Sequence, residues 1–301
     1  ITAGALAARG AEILIADWEG ERGERTAASI RQAGGQARFL YCNLAEMDSV
    51  RALATALGDA PLHVLINNAG LTYPVRQENS AGIEMHFAAC HLGHFLLTNL
   101  LLGRLRAGAP SRILFVASEG HKACPGLDFD DLNNLALWRG RAVNHSAAFM
   151  AYARAKLCML YTMRELQTRL QDSGISVHAL SPGYFVNTGI HREMRGVFRW
   201  GARLVFGLIG LVGLGRPERA ARTHIWLAAD ADGPAMAGCY VQACRPIAMS
   251  PAAEDLSAQQ RLWQISEKLA GLGPVNNCCA AALPPKKRPG KARGETFSDS
   301  K

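Results

Sequence analysis

No CxxC pair and no histidine pair at zinc-finger spacing occurs in this 301-residue sequence, although eight cysteines are scattered along it (Cys42, Cys90, Cys124, Cys158, Cys239, Cys244, Cys278 and Cys279). That pattern speaks against a zinc module and a disulfide framework, and it reads as reduced, structural thiols. No uninterrupted run of about 18 apolar residues is present to span a bilayer. The nearest approach, LVFGLIGLVGL from Leu204 to Leu214, suits a buried or interfacial segment. No signal peptide is read ahead of the fold, because the chain opens in a helix-like segment, and no internal repeat is evident. Charged residues make up only 19% of a chain that is 49% hydrophobic, a composition that suits one large globular domain with a full core.

The formal net charge is +8. Half of it lies after Gly273, where Lys286, Lys287, Arg288, Lys291, Arg293 and Lys301 face only Glu295 and Asp299. The basic balance therefore does not imply nucleic-acid binding by the fold. The end of that tail, LPPKKRPGKARGETFSDSK, is rich in Pro, Gly and charge and cannot bury enough surface to offset its ordering entropy. Residues 274–301 are expected to be a basic disordered tail, with a patch for anionic lipid or a nuclear localisation signal as the competing readings.

Upstream, short β-rich runs alternate with amphipathic stretches. EILIAD (Glu12 to Asp17), ARFLYC (Ala37 to Cys42), HVLINN (His63 to Asn68), RILFVAS (Arg112 to Ser118), SVHALS (Ser176 to Ser181) and CYVQAC (Cys239 to Cys244) read as strands. The alternation predicts an α/β fold, a doubly wound parallel sheet with helices on both faces. Ligands bind such sheets outside the carboxyl ends of the strands, which directs attention to Asp17, Asn43, Asn68, Ser118 and Pro182.

AYARAK, residues 151 to 156, places Tyr152 and Lys156 one helical turn apart on one face. Chance alone would give such a pair in roughly one chain in seven of this composition, so the spacing by itself decides nothing. An ammonium beside a phenol would favour the phenolate and lower its pKa from about 10. His86, Cys90 and His94 stand at i, i+4 and i+8 on one helix face. Three ligands spread along about 12 Å of helix do not converge on one zinc, so no metal site is expected.

Taken together, NNAG (Asn67 to Gly70), Ser118, Tyr152 and Lys156 at 34 and 38 residues beyond it, and SPG (Ser181 to Gly183) resemble the short-chain dehydrogenase/reductase superfamily. FLYCNLAEMDSVR, PLHVLINNAG, HLGHFLLTNLLL and QQRLWQISEKLAGL are similar to its retinol-dehydrogenase-like branch. The resemblance covers roughly residues 1–273 and implies one NAD(P)-binding Rossmann-type domain. It implies that Tyr152 is the acid/base, that Lys156 lowers the pKa of Tyr152 and holds the nicotinamide ribose, and that Ser118 hydrogen-bonds the substrate oxygen. Asn43, Leu44, Asn68, Ala69, Gly70, Pro182, Gly183 and Thr188 are implied as cofactor contacts. Asp17 can accept both hydroxyls of an adenosine ribose and repel a 2′-phosphate, which favours NAD, with NADP as the alternative.

The sequence departs from the family pattern at several points. Trp18 stands where many relatives carry Arg, Asn43 where they carry Asp, and Cys90 where they carry an Asn that supports a proton relay. The SPGYFVNTG loop has one more residue than in relatives, which bears on Thr188. The family's first strand and Gly-rich turn have no counterpart, so the sequence is expected to be a fragment or an incomplete gene product. Residues 190–214 are expected to form an apolar lid over the substrate, or to rest on a membrane. The resulting expectation is an oxidoreductase that exchanges hydride between NAD(H) and a small lipophilic alcohol or carbonyl compound, retinoid- or steroid-like by analogy. A catalytically weak relative that binds cofactor or a partner protein is the rival reading. An intracellular site, at the endoplasmic reticulum by analogy, and self-association into a homo-oligomer accompany the first reading.

Overall fold

The computed structural model describes residues 1–140, 142–183 and 217–273. Thr188, the expected lid 190–214 and the tail 274–301 lie outside the described residues. Strand β1 (Glu12–Asp17) pairs in parallel with β2 (Gln36–Tyr41). Strands β3 (Val64–Asn67), β4 (Ser111–Val116), β5 (Ile175–Leu180) and β6 (Tyr240–Gln242) form a second parallel block in that order. A short antiparallel strand, β7 (Arg245–Pro246), completes it. Among the described residues no strand joins the free edges of β1 and β3, so the sheet stands in two blocks. The division falls where the resemblance has its first, central strand.

Helices cover both faces because alternate side chains of the inner strands point to opposite sides. In β4, Ile113 and Phe115 enter the large core with Leu157, Leu160 and Leu262, whereas Leu114 and Val116 pack with Leu180, Leu227 and Val241 on the other face. The helix α1 (Thr2–Ala7) and helix α2 (Gly20–Gln32) serve the first block. Gly23, Ala27 and Ile30 line the buried face of α2 at helical spacing. A Cβ on Gly23 would meet the Phe39 ring at 2.3 Å, so a larger residue there would force that ring to move.

Helix α3 (Met47–Ala56) precedes β3, and helix α4 (Met85–Ala107) follows it with a π turn, Ala88–Leu92, inside. Helix α5 (His145–Arg169) starts at Asn144, whose Oδ1 accepts from Ala147 N at 3.0 Å. Helix α6 (Pro217–Ala229) covers the second face, and α7 (Leu256–Leu269) packs on α4 and α5. Trp263 of α7 meets Phe95 of α4 edge-on at 4.8 Å between ring centroids, and His91 Nε2 lies 2.8 Å from Ser266 Oγ.

The expected strands fall within one residue of the observed ends, except that RILFVAS ends two residues early at Val116 and CYVQAC is cut to Tyr240–Gln242. Ala243 and Cys244 take positive φ (50° and 59°) and turn the chain into β7. One expectation is corrected. The continuous helix α4 is long and apolar enough to cross a membrane by length and composition. Its histidines, Thr98 and Asn99 break the apolar run in the sequence, yet most of the helix is buried as a core element.

Candidate active site

Parallel pairing puts the carboxyl ends of β3, β4 and β5 along one edge of the second block. Ser118 follows β4 with extended backbone, and its Oγ accepts from Gly120 N at 3.1 Å. Ser118 and Tyr152 of α5 converge on Gly120, where a Cβ would lie 3.3 Å from the Ser118 Oγ and 3.8 Å from the Tyr152 ring. One turn further, Lys156 Nζ lies 5.5 Å from the Tyr152 ring centroid. The three side chains expected to work together are therefore adjacent.

Their charge states differ from the sequence expectation. Burial is the largest influence on Tyr152 and pushes its phenol well above the usual range, reinforced by Cys90 and opposed by the Ser118 hydrogen bond. The lowering expected from Lys156 does not prevail in this arrangement. Its Nζ donates instead to Val116 O at 2.7 Å and lies 3.3 Å from Met159 Sδ. Burial also pulls the Lys156 ammonium down from its ordinary value, and Cys90 opposes that pull. The phenol is thus protonated and Lys156 is a buried cation held by a carbonyl.

The segment after β3 exposes Asn68, Ala69 and Gly70 while Asn67 stays buried. Pro182 and Gly183 follow β5 half-buried. Gly183 has φ +96°, a left-handed conformation that favours glycine, and its N–H donates to Ser181 Oγ at 3.1 Å. In the first block, Asp17 closes β1. Its Oδ1 accepts from Glu19 N at 3.0 Å, and its Oδ2 pairs with Arg22 at 2.6 Å. Arg22 also reaches Glu19 at 3.1 Å. The carboxylate therefore already carries a cation, which sequence reading missed. Trp18 beside it is exposed. Asn43 Oδ1 accepts from Ala45 N at 3.0 Å, forming a tight turn at the end of β2. A Cβ on Gly93 of α4 would come 2.0 Å from Leu44 O, so the Asn43–Leu44 backbone rests directly on that helix.

Two further residues escaped the sequence reading. His121, fully buried, has Nδ1 2.7 Å from Ser118 O and accepts at Nε2 from Ser250 N at 3.1 Å. The neutral Nδ1–H tautomer satisfies both contacts, and burial holds this imidazole below its ordinary pKa. It fixes the backbone of Ser118 against the segment that leads into α7. Phe149, half-exposed, lies with Tyr152 around Gly120: a Cβ there would sit 3.7 Å from the Phe149 ring and 3.8 Å from the Tyr152 ring. No motif announces either residue, because each matters through a partner distant in sequence or fold.

Chemically, the cluster offers a phenolic proton, a hydroxyl beside it and a buried cation one turn away. The family profile described as short chain dehydrogenase matches residues 1–126. The chain is 37% identical to human (Homo sapiens) retinol dehydrogenase 13 over 280 residues, covering 90% of this chain and 80% of that protein. It is 38% identical over 280 residues to human dehydrogenase/reductase SDR family member 13, covering 91% and 70%. Among solved structures, an uncharacterised protein of Mycobacterium paratuberculosis superposes with a TM-score of 0.64 at 31% identity, covering 90% of this chain and 88% of that one. The RhlG/NADP active-site complex of Pseudomonas aeruginosa gives a TM-score of 0.61 at 25% identity, covering 80% and 88%.

Proposed function

As this chain belongs to the short chain dehydrogenase family, in its retinol-dehydrogenase-like branch, it is an NAD(P)-dependent oxidoreductase acting on CH–OH groups, and we propose that its substrate is a small lipophilic alcohol or carbonyl compound. The observation that carries this reading is the convergence of Ser118 and Tyr152 around Gly120, with Lys156 one turn away. The residues present suit a nicotinamide dinucleotide. Lys156 is a buried ammonium held by a carbonyl and a thioether, and it is suited to a ribose hydroxyl. Asn68, Ala69 and Gly70 are exposed at the same strand edge. Asn43, Leu44, Asp17, Pro182 and Gly183 would complete the cofactor contacts, with residues 1–273 acting as one nucleotide-binding unit.

The bound cofactor supplies or accepts the hydride. Tyr152 exchanges the proton with the substrate oxygen, and its buried, protonated phenol is in the state that carbonyl reduction uses. Alcohol oxidation needs the phenolate, which a neighbouring ammonium at Lys156 would favour. Ser118 donates to the substrate oxygen where negative charge develops. The lipophilic substrate class is supported by Phe149 beside the Tyr152 ring and by the apolar content of residues 190–214.

Tyr152→Phe tests the assignment. Turnover of NADH with a panel of lipophilic aldehydes and ketones should fall about a hundredfold or more, while NADH affinity stays close to wild type. Equal inactivity of wild type and variant on every substrate, with equal NADH binding, would favour a cofactor-binding protein instead.

A further inference from the structure

The stripe His86, Cys90, His94 and Thr98 on α4 has a regular set of partners. His86 Nε2 accepts from Tyr73 N at 3.2 Å. Cys90 Sγ accepts from Leu71 N at 3.4 Å and lies 3.6 Å from Leu71 O. His94 Nε2 lies 2.8 Å from Ala69 O. Thr98 Oγ1 lies 2.9 Å from Asn67 Nδ2. Each step of four residues along the helix meets a step of two along the chain leaving β3, and the two run in opposite directions.

The match is metrical. Four residues of α-helix rise about 6 Å and two extended residues advance about 6.6 Å. Four helical residues also turn about 400°, so a straight α-helix would carry the stripe about 40° off line at each step. The π turn Ala88–Leu92, with Cys90 at its centre, winds less per residue and draws the stripe back under the segment. The three i, i+4, i+8 residues first weighed as metal ligands are each engaged with main chain.

His94 has both ring nitrogens engaged, Nδ1 lying 3.2 Å from the Asn67 amide oxygen. Burial lowers its pKa to about 4, so near neutral pH it has one N–H, which the Ala69 carbonyl takes. Exchanging the O and N ends of the Asn67 amide then satisfies His94 Nδ1 and the Thr98 hydroxyl with the same heavy-atom contacts. The chain Thr98, Asn67, His94, Ala69 O is closed.

We propose that this stripe is a rail that fixes the register of residues 67–73, and that His94 is its positioning residue for cofactor binding, holding the Ala69 carbonyl so that the Asn68–Gly70 segment meets the dinucleotide in one conformation. The inference rests on the cofactor reading above. It assigns Cys90 a main-chain partner in place of a relay role.

Fluorescence titration of NADH and NADPH tests it, with melting temperatures measured alongside. His94→Leu should weaken dinucleotide binding about tenfold, since displacement of a contact by about 1 Å is costly. His94→Gln, which can still donate to Ala69 O, should stay within about threefold of wild type. Thr98→Val, close in shape, should weaken binding about threefold and serves where His94→Leu does not fold. Unchanged binding in folded His94→Leu or in Thr98→Val overturns the inference, as does equal weakening by His94→Gln and His94→Leu. Wild type that binds neither nucleotide overturns the cofactor reading and this inference with it, whereas tight wild-type binding with unaffected variants overturns this inference alone.

Discussion

Asp17 shows how one neighbour alters a residue's meaning. A carboxylate at the end of β1 favours a ribose diol over a 2′-phosphate, but Arg22 at 2.6 Å offsets part of its charge. NADH should bind more tightly than NADPH, and Arg22→Ala should widen the ratio of their dissociation constants; a narrower ratio in the variant would contradict this. The buried histidines give the acid response. Burial holds His91 at about 3 and His94 at about 4, below the unfolded value of about 6.5. With folded pKa values depressed, their contribution to stability is complete above about pH 6.5 and is lost as pH falls toward the folded values. For His94 the loss is on the order of 3 kcal/mol when fully expressed. Thermal melts should therefore show a falling midpoint between pH 7 and about pH 4.5, and a flat profile would refute the assignment of neutral imidazoles. Ser118, Tyr152 and Lys156 were legible in the sequence because family spacing marks them. His94, His121 and Arg22 were not, because their roles depend on partners that only folding supplies.

Among the elements, α4 organises the most. It carries the rail on one side and the Leu44 contact at Gly93 on another, and it packs through Phe95 against Trp263. Gly93→Ala sets a Cβ 2.0 Å from a backbone oxygen, which no side-chain rotation relieves. Unfolding in urea should show a loss of about 3 kcal/mol or more, and stability within experimental error of wild type would disprove the close approach. Asn144→Ala removes the cap of α5 and should cost about 1 kcal/mol. The strands of the sheet were readable because buried parallel strands are written as short β-branched and apolar runs. The π turn was not readable, since its sequence, AACHL, differs in no obvious way from α-helix. The membrane-length character of α4 was hidden by buried polar residues whose partners lie on other elements.

For the molecule as a whole, the two blocks of sheet place the proposed adenosine contacts on one and the proposed catalytic groups on the other. The alternation of strands and helices made the doubly wound class legible, whereas the order of β3 to β6 is set by the fold. On the proposed function, both blocks would hold one dinucleotide while Tyr152 moves a proton. The most direct measurement supplies NADH deuterated at the transferring position together with lipophilic aldehydes and ketones, and follows the products by mass spectrometry. The account predicts an alcohol carrying the label from wild type and none from Tyr152→Phe. Absence of labelled product from every carbonyl compound, in a protein that binds NADH, would contradict it.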